Sequence, residues 1–229
     1  MESYKKEFIE FMVRSKVLTF GDFTTKSGRK TPFFINTGNY SNGSQLLKLG
    51  EYYAESLKRN LPQGFDVLFG PAYKGIPLAV ATSMSLASRF SQETAFCFNR
   101  KEIKDHGEGG NLIGHKFKEN DRVVIIEDVI TAGTSVRESI PLLKSAANVK
   151  ICALIVSVDR MEKGQSNQSA LSELKDEFGI NTFAIVNLDE IVSYLHNQPV
   201  DGKVVLNDAI FEKIKDYRQI YGVSKFAST

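Results

Sequence analysis

Val123-Val124-Ile125-Ile126-Glu127-Asp128-Val129-Ile130-Thr131-Ala132-Gly133-Thr134-Ser135 opens on four apolar β-branched residues, turns acidic twice and closes on five small residues. The opening run has no polar alternate, so it reads as a strand buried on both faces. The small residues lead into 135–147, whose apolar spacing is helical. Strand, short loop and helix recur on either side of this stretch. Upstream, an apolar strand at 65–69 precedes an Ala/Leu/Met-rich helix at 76–90, and 94–98 reads as a further strand. Downstream come a strand at 149–158, a helix at 170–178, a strand at 182–186 and helical segments at 188–195 and 207–221. This alternation predicts an α/β fold, a doubly wound and mostly parallel sheet covered on both faces.

Ahead of it, Phe8, Phe11 and Met12 give 4–17 a helical period. Aromatic and β-branched residues in 19–39, broken by Lys26-Ser27-Gly28-Arg29, suggest short strands around a turn. Ser44 is a plausible N-cap for a helix running to about Asn60, which Pro62 ends. No repeat or linker interrupts the chain, so one domain over 1–229 is expected.

With 229 residues the chain can bury about 70% of its unfolded surface and needs no metal or disulfide staple. Its 29 basic and 27 acidic residues leave a net charge of only +2, which argues against bulk-charge binding to nucleic acid. Cys97 and Cys152 lie inside apolar runs and form no disulfide or metal-ligand pattern. Charged residues crowd the N-terminus, and no apolar run approaches the ~18 residues of a membrane span. A cytoplasmic protein without membrane or nucleic-acid partners is expected.

In doubly wound sheets, ligands bind beyond the carboxyl ends of the strands. Four strands here end in sequences unsuited to plain connections: Gly70-Pro71-Ala72-Tyr73-Lys74-Gly75, Asn99-Arg100-Lys101, the Glu127–Ser135 loop, and Asp159-Arg160. The small residues before a helix expose backbone N–H groups at its N-terminus, an arrangement suited to phosphate. An ordinary N-cap at Thr134 or Ser135 is the plainer alternative. Glu127 and Asp128 beside β-branched residues weigh against it, because burying them requires hydroxyls, a cation or solvent. A phosphosugar offers phosphate to the loop and a diol to the acids. Walker A and Gly-x-Gly-x-x-Gly patterns are both missing, which disfavours nucleoside triphosphates and dinucleotides.

The thirteen-residue stretch resembles the phosphoribosyl-diphosphate (PRPP) motif of type I phosphoribosyltransferases. Three further segments resemble orotate phosphoribosyltransferases. Phe98–Gly110 (98–110) is similar to their mobile catalytic loop, 69–75 to their pyrophosphate loop, and Thr25–Arg29 (25–29) with Pro32-Phe33-Phe34-Ile35-Asn36 to their N-terminal hood over the base. The likeness covers nearly the whole chain, with residues 1–40 supplying the hood. One departure is Phe34-Ile35, where the family has a phenylalanine pair; backbone contacts survive there, but a ring at Ile35 does not.

The resemblance implies transfer of the 5-phosphoribosyl group from PRPP to orotate, giving orotidine 5′-monophosphate and diphosphate. PRPP would be held by Lys26, Tyr73, Lys74, Arg100, Lys101, Lys104, His106 and each residue from Glu127 to Ser135. Orotate would be framed by Lys26, Phe34, Ile35, Thr131 and Arg160. Lys104, His106 and Asp128 are the expected catalytic groups. Mg²⁺ is the expected cofactor, held mainly through PRPP and water. A homodimer with shared active sites is also implied. From the residues alone, the 100–114 stretch is long and glycine-rich, as lids are. Its cations would stabilise charge on a leaving diphosphate. Arg160 could instead serve a structural ion pair with Asp159. Two rivals stay open: another acceptor base, and a PRPP-sensing regulator, which would want a helix-turn-helix or a basic face.

Overall fold

The structure, a computed structural model, describes residues 1–25, 28–101 and 111–223. The chain begins with α1 (Ser3–Arg14), the antiparallel hairpin of β1 (Leu18–Thr24) and β2 (Lys30–Ile35), and α2 (Gly43–Asn60). Then β3 (Val67–Gly70), α3 (Gly75–Phe90), β4 (Ala95–Asn99), β5 (Leu112–Gly114), β6 (Arg122–Ile126) and α4 (Thr134–Ala146) follow. The last third holds β7 (Lys150–Asp159), α5 (Ala170–Phe178), β8 (Asn181–Asn187) and α6 (Leu188–Leu195), then the ribbon β9 (Pro199–Val200) and β10 (Lys203–Val204), and α7 (Asp208–Tyr221).

The central sheet has the order β5-β4-β3-β6-β7-β8, parallel throughout except for antiparallel β5. The doubly wound reading holds. Alternation along the strands divides the apolar residues between two cores. Val124 and Ile126 of β6 face the layer of α1, α2, α3, α6 and α7. Val123 and Ile125 face α4 and α5. A strand buried on both faces must be apolar at every position, as β6 is.

From β3 the chain adds β4 on one side, then returns to place β6 on the other. The winding reverses between β3 and β6, so a crevice opens beyond their carboxyl ends, where Gly70 and Glu127 leave the sheet.

The structure departs from the sequence reading in local ways. Asn42, not Ser44, caps α2: its side chain accepts from the Gln45 N–H at 2.9 Å, and Ser44 Oγ donates to Asn42. Gly133, not Thr134 or Ser135, is the N-cap of α4, and as a glycine it makes no side-chain cap bond. Strands β5, β9 and β10 were not anticipated; two or three residues are too few to display a period of two.

Candidate active site

The acids at the end of β6 are nearly closed off from solvent, Glu127 at 7% and Asp128 at 8% exposure. Glu127 accepts a hydrogen bond from Ser135 Oγ at 2.6 Å, while its carbonyl accepts from Tyr53 OH at 2.7 Å. Burial pushes the Glu127 carboxyl above the ordinary range, and the Ser135 hydroxyl only partly offsets this. The Asp128 carbonyl is held by Ser157 N at 2.8 Å and Ser157 Oγ at 2.6 Å, which ties the acid to β7. Its carboxylate meets Lys74 Nζ at 2.8 Å and the Thr37 hydroxyl; Lys74 also reaches Thr37 Oγ1 at 3.0 Å. Asp128, from β6, and Lys74, from the loop after β3, thus face each other across the crevice.

Beyond the acids the loop turns into α4. Gly133 sits at φ 71°, in the left-handed region that glycine tolerates, and a Cβ there would lie 2.9 Å from Leu174 Cδ1. Thr131 and Thr134 are exposed, and Ala132 and Ser135 half-buried. With no side-chain cap, the first N–H groups of α4 stay available to an anion. Val129 bridges Val158 in parallel and Ile130 packs on the α4–α5 core, so these two residues anchor the loop by backbone and packing.

The β3–α3 loop is closed by two glycines. A Cβ on Gly70 would sit 2.0 Å from the Gly75 carbonyl oxygen, and one on Gly75 2.7 Å from the Gly70 carbonyl carbon. Asn99 Oδ1, at the end of β4, accepts from the Ala72 N–H at 2.9 Å and steadies the loop. Tyr73 is 67% exposed, with Lys101 Nζ 5.6 Å from its ring centroid. Ala72, Arg100, Lys101 and Ser135 line one cavity of about 240 Å³. The loops after β3, β4 and β6 therefore converge.

Arg160 lies beside a second cavity, of about 290 Å³, lined also by Thr25, Arg29, Thr131, Asp159 and Glu162. Its ion-pair partner is Glu162 at 2.6 Å, not Asp159. Asp159 instead accepts the Met161 N–H at 2.8 Å, and burial raises its pKa. Arg29 Nη2 and Tyr217 OH also reach Glu162, at 2.7 and 2.8 Å. Burial, followed by the Glu162 charge, pushes the Tyr217 phenol up to about 12.

The two base-framing residues of the hairpin point apart. Phe34 is exposed and tilts against Phe23, at 5.6 Å between ring centroids. Ile35 is buried in the core on the same strand face as Phe33, and it does not line the Arg160 cavity. Phe33 is the aromatic beside Arg160, with its ring centroid 4.9 Å from the guanidinium carbon.

Lys26, Lys104 and His106 lie outside the described residues. Thr37, Asn99, Arg29 and Glu162 belong to the site without having been singled out for it in the sequence. Arg29, beside Lys26 and Gly28, and Asn99, at the end of its strand, had a local signal; Thr37 and Glu162 are brought in by tertiary contacts.

Comparison with known proteins gives a consistent result. Residues 36–186 match the family model for the phosphoribosyl transferase domain. An orotate phosphoribosyltransferase from Clostridium beijerinckii is 56% identical over 97% of this chain and 99% of its own length. One from Lachnoclostridium phytofermentans is 57% identical, with the same coverage. Among solved structures, orotate phosphoribosyltransferase from Francisella tularensis superposes with a TM-score of 0.81 at 40% identity, covering 94% of this chain and 99% of that one.

Proposed function

Because the chain belongs to the orotate phosphoribosyltransferases, we propose that the crevice between β3 and β6 holds PRPP while the Arg160 cavity holds orotate. The enzyme transfers the 5-phosphoribosyl group from PRPP to orotate, giving orotidine 5′-monophosphate and diphosphate. One observation carries the division of the site. Asp128 holds Lys74 at 2.8 Å, while Thr131, in the same loop, lines the cavity with Arg160. A single strand-to-helix loop therefore adjoins both substrates.

In this reading the N–H groups of 132–135 take the 5′-phosphate. Glu127 and Asp128 face the ribose diol. As the bond from the anomeric carbon to diphosphate lengthens, positive charge develops on the ribosyl ring, and the acids favour it. Lys74 exchanges Asp128 for the diphosphate, where it joins Tyr73, Arg100 and Lys101. Lys104 and His106 join them by resemblance alone, with proton donation to the leaving diphosphate as their role. Arg160 and Thr131 hold orotate opposite the departing bond, with Lys26 and the backbone at Phe34-Ile35 completing the frame. Positioning and electrostatics supply most of the rate, with little covalent work from side chains.

Mg²⁺ fits this donor set. Among the described residues no three metal-ligating side chains converge, and each acid already has a protein partner. That suits an ion brought in on substrate oxygens and water, with Asp128 beside it. When bound, it would neutralise charge on the diphosphate. A cytoplasmic location belongs to the same proposal, and no helix among the described residues is long and apolar enough to cross a membrane. So does one domain over the chain, whose hairpin β1–β2 packs on α7.

The proposal extends to a homodimer that shares its active sites. Loss of orotate absorbance on adding PRPP and Mg²⁺ reads the reaction, and it should collapse in Lys104→Ala. Mixing Lys104→Ala chains with Asp128→Asn chains should restore part of the activity, since one hybrid site would be intact. Mixtures no more active than either parent would contradict sharing.

A further inference from the structure

Glu162 stands behind the proposed orotate cavity with its carboxylate divided among donors from its neighbour Arg160 and from two distant segments. Oε1 accepts from Arg160 Nη2 at 2.6 Å, Arg160 Nε at 3.0 Å and Tyr217 OH at 2.8 Å. Oε2 accepts from Arg29 Nη2 at 2.7 Å. The side chain is 11% exposed. Its backbone is fixed as well: Glu162 bridges Gly222, Lys163 N–H donates to the Tyr221 carbonyl at 2.9 Å, and Val223 N–H donates to the Met161 carbonyl at 3.0 Å. The end of α7 thus holds the carboxylate in place.

Two guanidinium groups beside one cavity repel each other, and a carboxylate between them offsets one of their charges, as Asp159 offsets Lys163 on the same lining. That matches a substrate carrying one carboxylate. Glu162 engages Arg160 through its Nε–Nη2 edge, so Nη1 keeps its N–H groups for a ligand; among the described residues it has no hydrogen-bond partner. The Phe33 ring, 4.9 Å from the guanidinium carbon, restricts the remaining freedom. Arg29 is flanked in the same way by Tyr221 at 4.9 Å and Tyr217 at 5.6 Å, and its Nε is buried with no hydrogen-bond partner among the described residues.

We propose that Glu162 is a positioning residue for the acceptor base: it fixes Arg160 by one edge and presents the other to orotate, with Arg29 pinned beside it. The proposal rests on Arg160 as an orotate contact. Steady-state kinetics with each substrate varied, on Glu162→Gln, Glu162→Asp, Tyr217→Phe and Arg160→Ala, test both ideas separately. Glu162→Gln should raise the orotate KM about tenfold and leave the PRPP KM within about twofold, the size expected for loss of a charged hydrogen-bond partner. Glu162→Asp should recover part of that, and Tyr217→Phe should raise the orotate KM about two- to threefold. Should Glu162→Gln fail to fold, Tyr217→Phe carries the same split.

An orotate KM unmoved by Glu162→Gln but raised by Arg160→Ala would overturn the positioning role and leave the Arg160 contact standing. A fall in the orotate KM would make Glu162 a competitor of the substrate and overturn it too. Equal rises in both KM values would reduce Glu162 to a structural part. No effect of Arg160→Ala on orotate would defeat the contact and the positioning role together.

Discussion

The crevice proposed for PRPP and the cavity proposed for orotate share a loop but are built differently. The crevice draws on short stretches, each contiguous in sequence and each at the end of a parallel strand: 70–75, 99–101 and 127–135. The orotate cavity is assembled from Thr25, Arg29, Thr131, Arg160 and Glu162, with Tyr217 behind it, and these lie on the hairpin, the central loop, the end of β7 and α7. Sheet geometry alone places the first region, because strand ends in a doubly wound sheet fall on one rim. The second depends on packing of the hairpin and α7. On the proposed division, the chemistry of the phosphoribosyl donor is written locally, and recognition of the acceptor is written in tertiary contacts.

Substitutions can separate the two regions. Asp128→Asn should have the largest effect, lowering kcat by about 100- to 1,000-fold through loss of charge stabilisation at the ribosyl centre. Orotate affinity should change little. A comparable loss of orotate binding would show that the two regions are not independent.

Gly70→Ala comes next. Its Cβ would lie 2.0 Å from the Gly75 carbonyl oxygen, backbone against backbone, so β3 and α3 must separate. A loss of about 1–3 kcal/mol is expected from such overpacking, read as a lower denaturant midpoint. The PRPP KM should rise more than the orotate KM. The reverse order would place the β3–α3 loop on the wrong substrate.

The smallest effect is on pH dependence. Burial raises the folded-state pKa of Glu127 above its unfolded value. The folded state then binds this proton more tightly, so the group's contribution is fully present below the unfolded carboxylate pKa and is lost as pH rises through the folded one. Gln can still accept from Ser135 Oγ. Glu127→Gln should therefore gain stability relative to the parent at pH 7 to 8, in the range of about 1 kcal/mol or less, and the gain should vanish near pH 4. Thermal melts across that interval check it, and a gain confined to acid pH would reverse the assignment.

The same contrast governs what the sequence disclosed. Bounds such as Ala170–Phe178 and Leu188–Leu195 agree with the sequence reading because their apolar periods are uninterrupted, and the strand ending at Ile126 does so because its run from Val123 is apolar at every position. The strand-loop-helix setting of Glu127–Ser135 was readable from its own residues. Glu162 was not, because its meaning comes from Arg29, 133 positions away, and Tyr217, 55 away. Thr37 acts through its contacts with Asp128, 91 positions on, and Lys74, 37 positions on. Ile35 lies in the core with Phe33, which leaves only its backbone for the proposed orotate frame. The β5 edge and the β9–β10 ribbon escaped notice because their pairing, not their composition, defines them.

The division of the site is tested most directly by the KM values of Arg160→Ala for both substrates. We predict an orotate KM raised about 10- to 100-fold and a PRPP KM within about twofold of the parent, as removal of one charged ligand contact requires. An unchanged orotate KM, or one that rises only in step with the PRPP KM, would contradict it.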